Sequence, residues 1–172
     1  MPAANADSVW ERVVADLATA LADITEAGGY GFDASVTRVG DATLKSLRAG
    51  SRMADRSVVV VMGDCSRVDD GDQRSPTAGG LGSVWELSIG VLVTRTPTAN
   101  QAESSTPRDR VIANAVSDVM RAAFVDPSRG GLCERFDAEG WDPAEDYANA
   151  TVTFIARLVT SEFDPRTPAT EI

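Results

Sequence analysis

Histidine is missing from this chain altogether. Its absence removes the side chain that titrates nearest neutral pH, and with it the usual general base, zinc ligand and partner of a nucleophilic serine. Every enzymatic reading weakens together. Cysteine is almost as scarce. Cys65 and Cys133 are too few and too isolated for a disulfide framework or for a zinc site of about four ligands, so free thiols are expected. Lysine occurs once, at Lys45, which makes 15 of the 16 basic residues arginine. With abundant Ala, Gly and Asp, that is the usage of a GC-rich genome. No apolar run approaches the roughly 18 residues of a membrane-spanning helix, and the longest, residues 58–62, is strand-sized. No membrane role is expected. The first seven residues show neither a basic segment nor an apolar stretch, which predicts no secretory signal and a place in a cytoplasm.

What is present fits one ordinary folded domain. The 172 residues can bury a continuous core, and 43% hydrophobic with 24% charged residues is a globular balance. A formal net charge of −10 argues against wrapping nucleic acid, whose backbone is bound by neutralising phosphates with Lys and Arg.

Hydrophobic periodicity organises the chain. Trp10, Val13, Val14, Leu17, Leu21 and Ile24 recur at three- and four-residue spacing and predict an amphipathic helix over residues 8–27. Ser8 with Glu11 has the form of a capping box at its start, and Gly28 and Gly29 supply a left-handed stop. Residues 35–39 alternate weakly as a short strand, and residues 43–47 carry no clear pattern. The β-branched run 58–61 predicts a strand covered on both faces, ending at Gly63 and Asp64. In residues 84–94, apolar odd positions from Trp85 to Val93 predict a long half-buried strand. A second one-sided helix starts at Thr106, Pro107 and Asp109 with the proline at its first position, with Val111, Ile112, Ala115, Val119, Met120, Ala123 and Phe124 on its stripe and Asp126-Pro127 at its end. A Gly-rich connection over residues 130–141 then leads to a last alternating strand, residues 150–159. Residues 1–7 and 166–172 read as frayed ends of a single domain spanning 1–172. The order predicts an α+β fold: two amphipathic helices packed on one face of a mainly antiparallel sheet of about four to five strands, the other face finding cover elsewhere.

Residues 67–82 and 96–106 are polar, aperiodic and long enough to be functional surface loops. Asp69, Asp70 and Asp72 around Gly71 invite a calcium reading, but their spacing lacks the alternation and the closing glutamate of an EF-hand loop, so a solvated loop is preferred. Asp137, Glu139, Asp142, Glu145 and Asp146 cluster before the last strand. Paired carboxylates can hydrolyse glycosides, yet these fall on a Gly- and Pro-punctuated connector with no aromatic between Asp137 and Asp146 except Trp141, so a solvated negative surface is favoured. Ser8, Ser57, Ser66 and Ser83 have no histidine to activate them. Gly79, Gly80 and Gly82 lead into a strand, not the helix a phosphate loop requires. Trp10, Trp85 and Trp141 read as core or interface residues. No catalytic, cofactor-binding or metal-binding residue is expected, and the chain is expected to work by binding other protein subunits.

The order of elements, together with the segments "AGGYGF", "VWELSIGVLV", "DRVIANAVSDVMRAAF" and "VDPSRGGLCERFDAEGW", resembles the tail terminator, or tail completion, proteins of long-tailed, siphovirus-like bacteriophages over residues 8–165. The resemblance implies a structural virion protein in the tail-neck region, assembled in the host cytoplasm. It would form a ring, usually a hexamer, on the end of the tail tube, stop tube growth, and meet the head-tail connector or stopper protein, with DNA passing unbound through the lumen. An acidic lumen suits that passage. Its subunit or tube contacts would fall on the first long loop, at Asp69, Asp70, Asp72 and Arg74. Another neck protein, a host cytoplasmic binding module and a small carboxylate-dependent hydrolase are the alternatives.

Overall fold

A computed structural model describes residues 7–39, 54–68, 82–96, 107–161 and 164–168. Ser8 heads the first helix, α1 (Val9–Ala22), with its Oγ accepting the Glu11 N–H. That is one half of the capping box; the Glu11 carboxylate turns to Arg38 instead. Val9, Val13, Val14, Leu17 and Leu21 are buried along one stripe. The helix is shorter than its apolar spacing predicts. Asp23 caps it, and a separate 3-10 turn, Glu26–Gly28, follows, with Thr25 Oγ1 accepting the Gly28 N–H. β-branched Ile24 and Thr25 favour leaving the helix, and the extended Thr25 is free to cap a new turn. Gly29, at φ +80°, therefore closes the 3-10 turn and not α1.

One sheet carries β1 (Ser35–Val39), β2 (Ser57–Arg67), β3 (Gly82–Thr94), β4 (Arg135–Pro143), β5 (Asn149–Ser161) and β6 (Asp164–Pro168). Its order is β1-β2-β3-β5-β4, with the short β6 also pairing β5. Among the described residues only the neighbours β1 and β2 run parallel. Val58 to Val61 are all buried, as a strand covered on both faces requires. β2 continues past the expected stop at Gly63 and Asp64, because a bulge between Met62 and Cys65 absorbs the irregularity and lets Cys65 pair with Leu87. Gly63 fits there since a Cβ would lie 3.0 Å from the Ser88 carbonyl oxygen.

The second helix, α2 (Arg108–Ala123), starts one residue later than a proline-first helix would, with Pro107 at the cap. It buries Val111, Ile112, Ala115, Val116, Val119, Ala122 and Ala123. Both helices lie over one sheet face, and a single apolar cluster joins their stripes to Val58, Val60, Leu87, Ile89, Val91, Val93, Val152, Phe154, Ala156 and Leu158. The α+β architecture is as the periodicity predicts. On the second face Val59, Val61 and Leu92 are buried, while Thr151, Thr153 and Ile155 are half-buried.

Two segments depart from expectation. The connection over residues 130–141 is a strand from Arg135 onward, and the tail beyond residue 165 contributes β6. β4 was illegible because Asp, Glu, Gly and Pro are poor strand formers; β5 supplies the pairing that overrides them. Residues 43–47, most of both long loops (69–81 and 97–106) and residues 169–172 lie outside the described residues.

Three arginines tie these layers together, each resting on an aromatic ring and facing a carboxylate. Arg95 Cζ lies 5.2 Å from the Phe32 centroid, with Nη1 3.3 Å from Asp55. Arg121 lies 4.0 Å from the Tyr30 centroid and 3.3 Å from Asp118, and it donates to the Gly29 carbonyl at 2.7 Å. Arg129 lies 5.1 Å from the Phe136 centroid and 3.2 Å from Asp16, and it donates to the Ala123 carbonyl at the end of α2. A guanidinium suits both contacts, since its plane stacks on a ring while its edge meets a carboxylate. These staples organise the two glycine-containing segments: Gly31 N–H donates to Asp118 Oδ2 at 2.8 Å, while Asp126 accepts from Ser128 and Gly130 to shape the turn that carries Arg129. Those three hydrogen-bond donors hold the Asp126 carboxyl below the usual range.

Candidate interaction surface

The contact residues expected on the first long loop, Asp69, Asp70, Asp72 and Arg74, all lie outside the described residues. The second acidic cluster is described, and it is divided. Asp137, Glu139 and Asp142 belong to β4, whereas Glu145 and Asp146 belong to the turn that joins β4 to β5.

β4 is the last strand on its side of the sheet order. Its register with β5 slips between Ala138 and Gly140, a bulge centred on Glu139. Bulges, charges and proline on an outer strand discourage indiscriminate strand addition, and β4 carries all three, with Pro143 at its end. The turn is held by Ala144 N–H to the Asn149 carbonyl and Tyr147 N–H to the Ala144 carbonyl, both 2.9 Å. Asp146 Oδ1 accepts the Ala148 N–H at 3.0 Å. Tyr147 takes a left-handed φ of 54°. The hairpin is therefore ordered, although its composition resembles a loop.

Glu139, Gly140, Trp141, Asp142, Thr151 and Thr153 line a shallow open depression of about 270 Å³ on this hairpin. Trp141 is 42% exposed and Tyr147 40%. The other two tryptophans differ: Trp10 and Trp85 pack edge to face at 5.4 Å beside the core. An exposed indole offers an apolar face and an electrostatic attraction for cations, which suits a contact surface. Among the described residues, no group of three or more Cys, Asp or Glu side chains could hold a metal ion. Sequence reasoning identified the carboxylates by type but missed the strand that displays them with Trp141; outer-strand pairing leaves little pattern when the residues are polar.

The thiols also have separate settings. Cys65 is exposed and Cys133 buried. Burial pushes the Cys133 thiol up to about 12, and its Sγ lies 3.3 Å from the Ser128 carbonyl oxygen, to which it donates.

No protein-family model matches the chain, and neither does any curated protein.

Proposed function

We propose that this chain is a structural protein of the neck of a long-tailed bacteriophage, a tail terminator that closes into a ring on the tail tube, ends its polymerisation and presents a surface to the head connector. The ring is a homo-oligomer, six subunits by family resemblance, and acts stoichiometrically with no chemistry of its own. One observation carries the self-association: the β4–β5 hairpin leaves Trp141 and Tyr147 exposed on the same hairpin as Glu139, Asp142, Glu145 and Asp146, an amphipathic surface with no partner among the described residues. Large aromatics are enriched at protein interfaces, where one face can be buried and an edge left wet. Support for the tail assignment comes from the resemblance over residues 8–165 and from the charge of −10, which suits a wall past which duplex DNA slides.

The test is genetic and visual. A lysate without a functional copy should contain tails longer than normal that fail to join heads. Tails of normal length joined to filled heads refute the assignment. Purified protein should bind the ends of tail tubes, measured as a change in mass when tube protein is added.

A further inference from the structure

Val59, Val61 and Leu92 are 4%, 2% and 3% exposed, yet they sit on the sheet face opposite both helices. Those exposures are of one chain alone, so a piece of the same chain covers them. The cover is local. On the same face Thr37 of β1 and Gly140 and Asp142 of β4 are exposed, and Thr151 and Thr153 of β5 are half-buried. One segment laid over β2 and β3 gives that footprint, whereas a second sheet layer would bury β5 and β4 as well. We propose that residues 40–53, which connect β1 to β2, cross this second face and cover Val59, Val61 and Leu92 with Leu44 and Leu47.

Chirality selects the face. Parallel neighbours such as β1 and β2 must be joined by a chain that leaves the sheet and returns over one side of it. β3 and β4 are joined in the same way: each is antiparallel to β5 between them, so they point in one direction, and α2 connects them over the face that holds Val58 and Val60. Crossovers between parallel strands of one sheet are right-handed in about 98% of cases. Along the order β1-β2-β3-β5-β4 both connections step the same way, but β3 runs opposite to β1. Two crossovers of one hand that step the same way from strands of opposite direction must lie on opposite faces. With α2 on the first face, the second is left to the connection between β1 and β2.

Composition selects the same segment. Outside the described residues, 40–53 is the one stretch with more than one large apolar side chain, carrying Leu44, Leu47 and Met53. Residues 69–81 offer Leu81 alone, and residues 97–106 offer none. The consequence concerns assembly: the apolar part of the second face is used within the subunit, so contacts between copies fall elsewhere. This inference does not rest on the proposed ring or on the phage tail.

The single lysine of the chain, Lys45, lies in the proposed cover, which permits a cross-linking test on the full chain. In a Cys65→Ser background, Thr153→Cys marks the second face and Ser117→Cys, exposed on α2, marks the helix side. A short amine-to-thiol cross-linker, read by peptide mass spectrometry, should join Lys45 to the thiol of the Thr153→Cys variant within one chain and leave the Ser117→Cys variant unlinked. A link from Ser117→Cys and none from Thr153→Cys, or no link from either, overturns the proposal. A link formed only between two chains gives the cover to a second copy and overturns it too. Labelling provides the second measurement. Val61→Cys should react slowly with a maleimide, and adding Leu44→Ser with Leu47→Ser should raise its rate by about tenfold or more, since burial of one leucine is worth at least that factor. Leu81→Ser should leave the rate alone. An unchanged rate, or an equal rise with Leu81→Ser, refutes the assignment. Continued protection of Cys133 shows that the fold survives the serine changes; if protection is lost, the cross-link decides.

Discussion

Arg129 is the largest fully buried side chain among the described residues, and replacing it separates packing from charge. Truncation to alanine removes a charged hydrogen bond to the Ala123 carbonyl, on the order of 2 kcal/mol. It also removes a desolvated cation–π contact with Phe136, about 1 to 2 kcal/mol. The ion pair to Asp16 adds less than about 1 kcal/mol, since the Asp16 side chain is 39% exposed. Loss of the buried stem costs roughly 2 kcal/mol. Against these stands relief. Arg129 Nε and Nη1 are buried without a hydrogen-bond partner, Nη1 lying within ion-pair distance of Asp16 but out of hydrogen-bonding alignment. Each such group costs about 1 to 3 kcal/mol. Arg129→Ala should therefore destabilise by about 3 kcal/mol, a fall of roughly 6 to 12 °C in melting temperature for a chain this long. Arg129→Met keeps the stem and deletes both the favourable and the unsatisfied polar groups, so it should lie within about 1 kcal/mol of wild type. The left-handed φ of 51° at this position is common to all three residues and does not distinguish them. Urea denaturation measures the series. A methionine variant as unstable as the alanine variant would show that the guanidinium is a net stabiliser; an alanine variant costing under about 1 kcal/mol would refute the staple altogether.

Leu17 and Val119 are both fully buried on their helix stripes, so Leu17→Ala should cost about 2 to 4 kcal/mol, with Val119→Ala at the lower end, while Arg12→Ala stays near neutral; equal losses at Leu17 and Arg12 in chemical denaturation would show the wrong face of α1 was chosen. Thiol labelling at pH 8 should modify Cys65 rapidly and leave Cys133 untouched until the protein unfolds, and equal rates would contradict the burial of Cys133. Because folding raises the Cys133 pKa from its ordinary 9.0 to about 12, the neutral thiol contributes stability that is complete below about pH 9 and is lost as pH rises towards 12. Wild type should lose more melting temperature across that window than Cys133→Ala, and parallel curves would refute the linkage.

Local chemistry was enough for the elements that bury one regular stripe. α1, α2, β3 and β5 each repeat apolar residues at the period of their own backbone, so Leu17, Val119, Ile89 and Phe154 announce both the element and the face it buries. Ser8 likewise announces a cap, because a hydroxyl at that position satisfies a helix N–H wherever the helix later packs. β4, the parallel pairing of β1 with β2, and the burial of Arg129 were decided by tertiary structure alone. Asp137, Gly140 and Pro143 have no intrinsic preference for a strand, and only the pairing edge of β5 gives their backbone a better partner than water. Arg129 reads as a surface residue in a polar turn until Asp16, Ala123 and Phe136, distant in sequence, converge on its guanidinium. Trp141 shows the reverse: an indole reads as a core or interface residue, and the place of β4 at the outside of the strand order leaves this one 42% exposed. Hydrophobicity specifies what must be buried somewhere, while the order of strands in the sheet decides which side chains are left to meet another molecule.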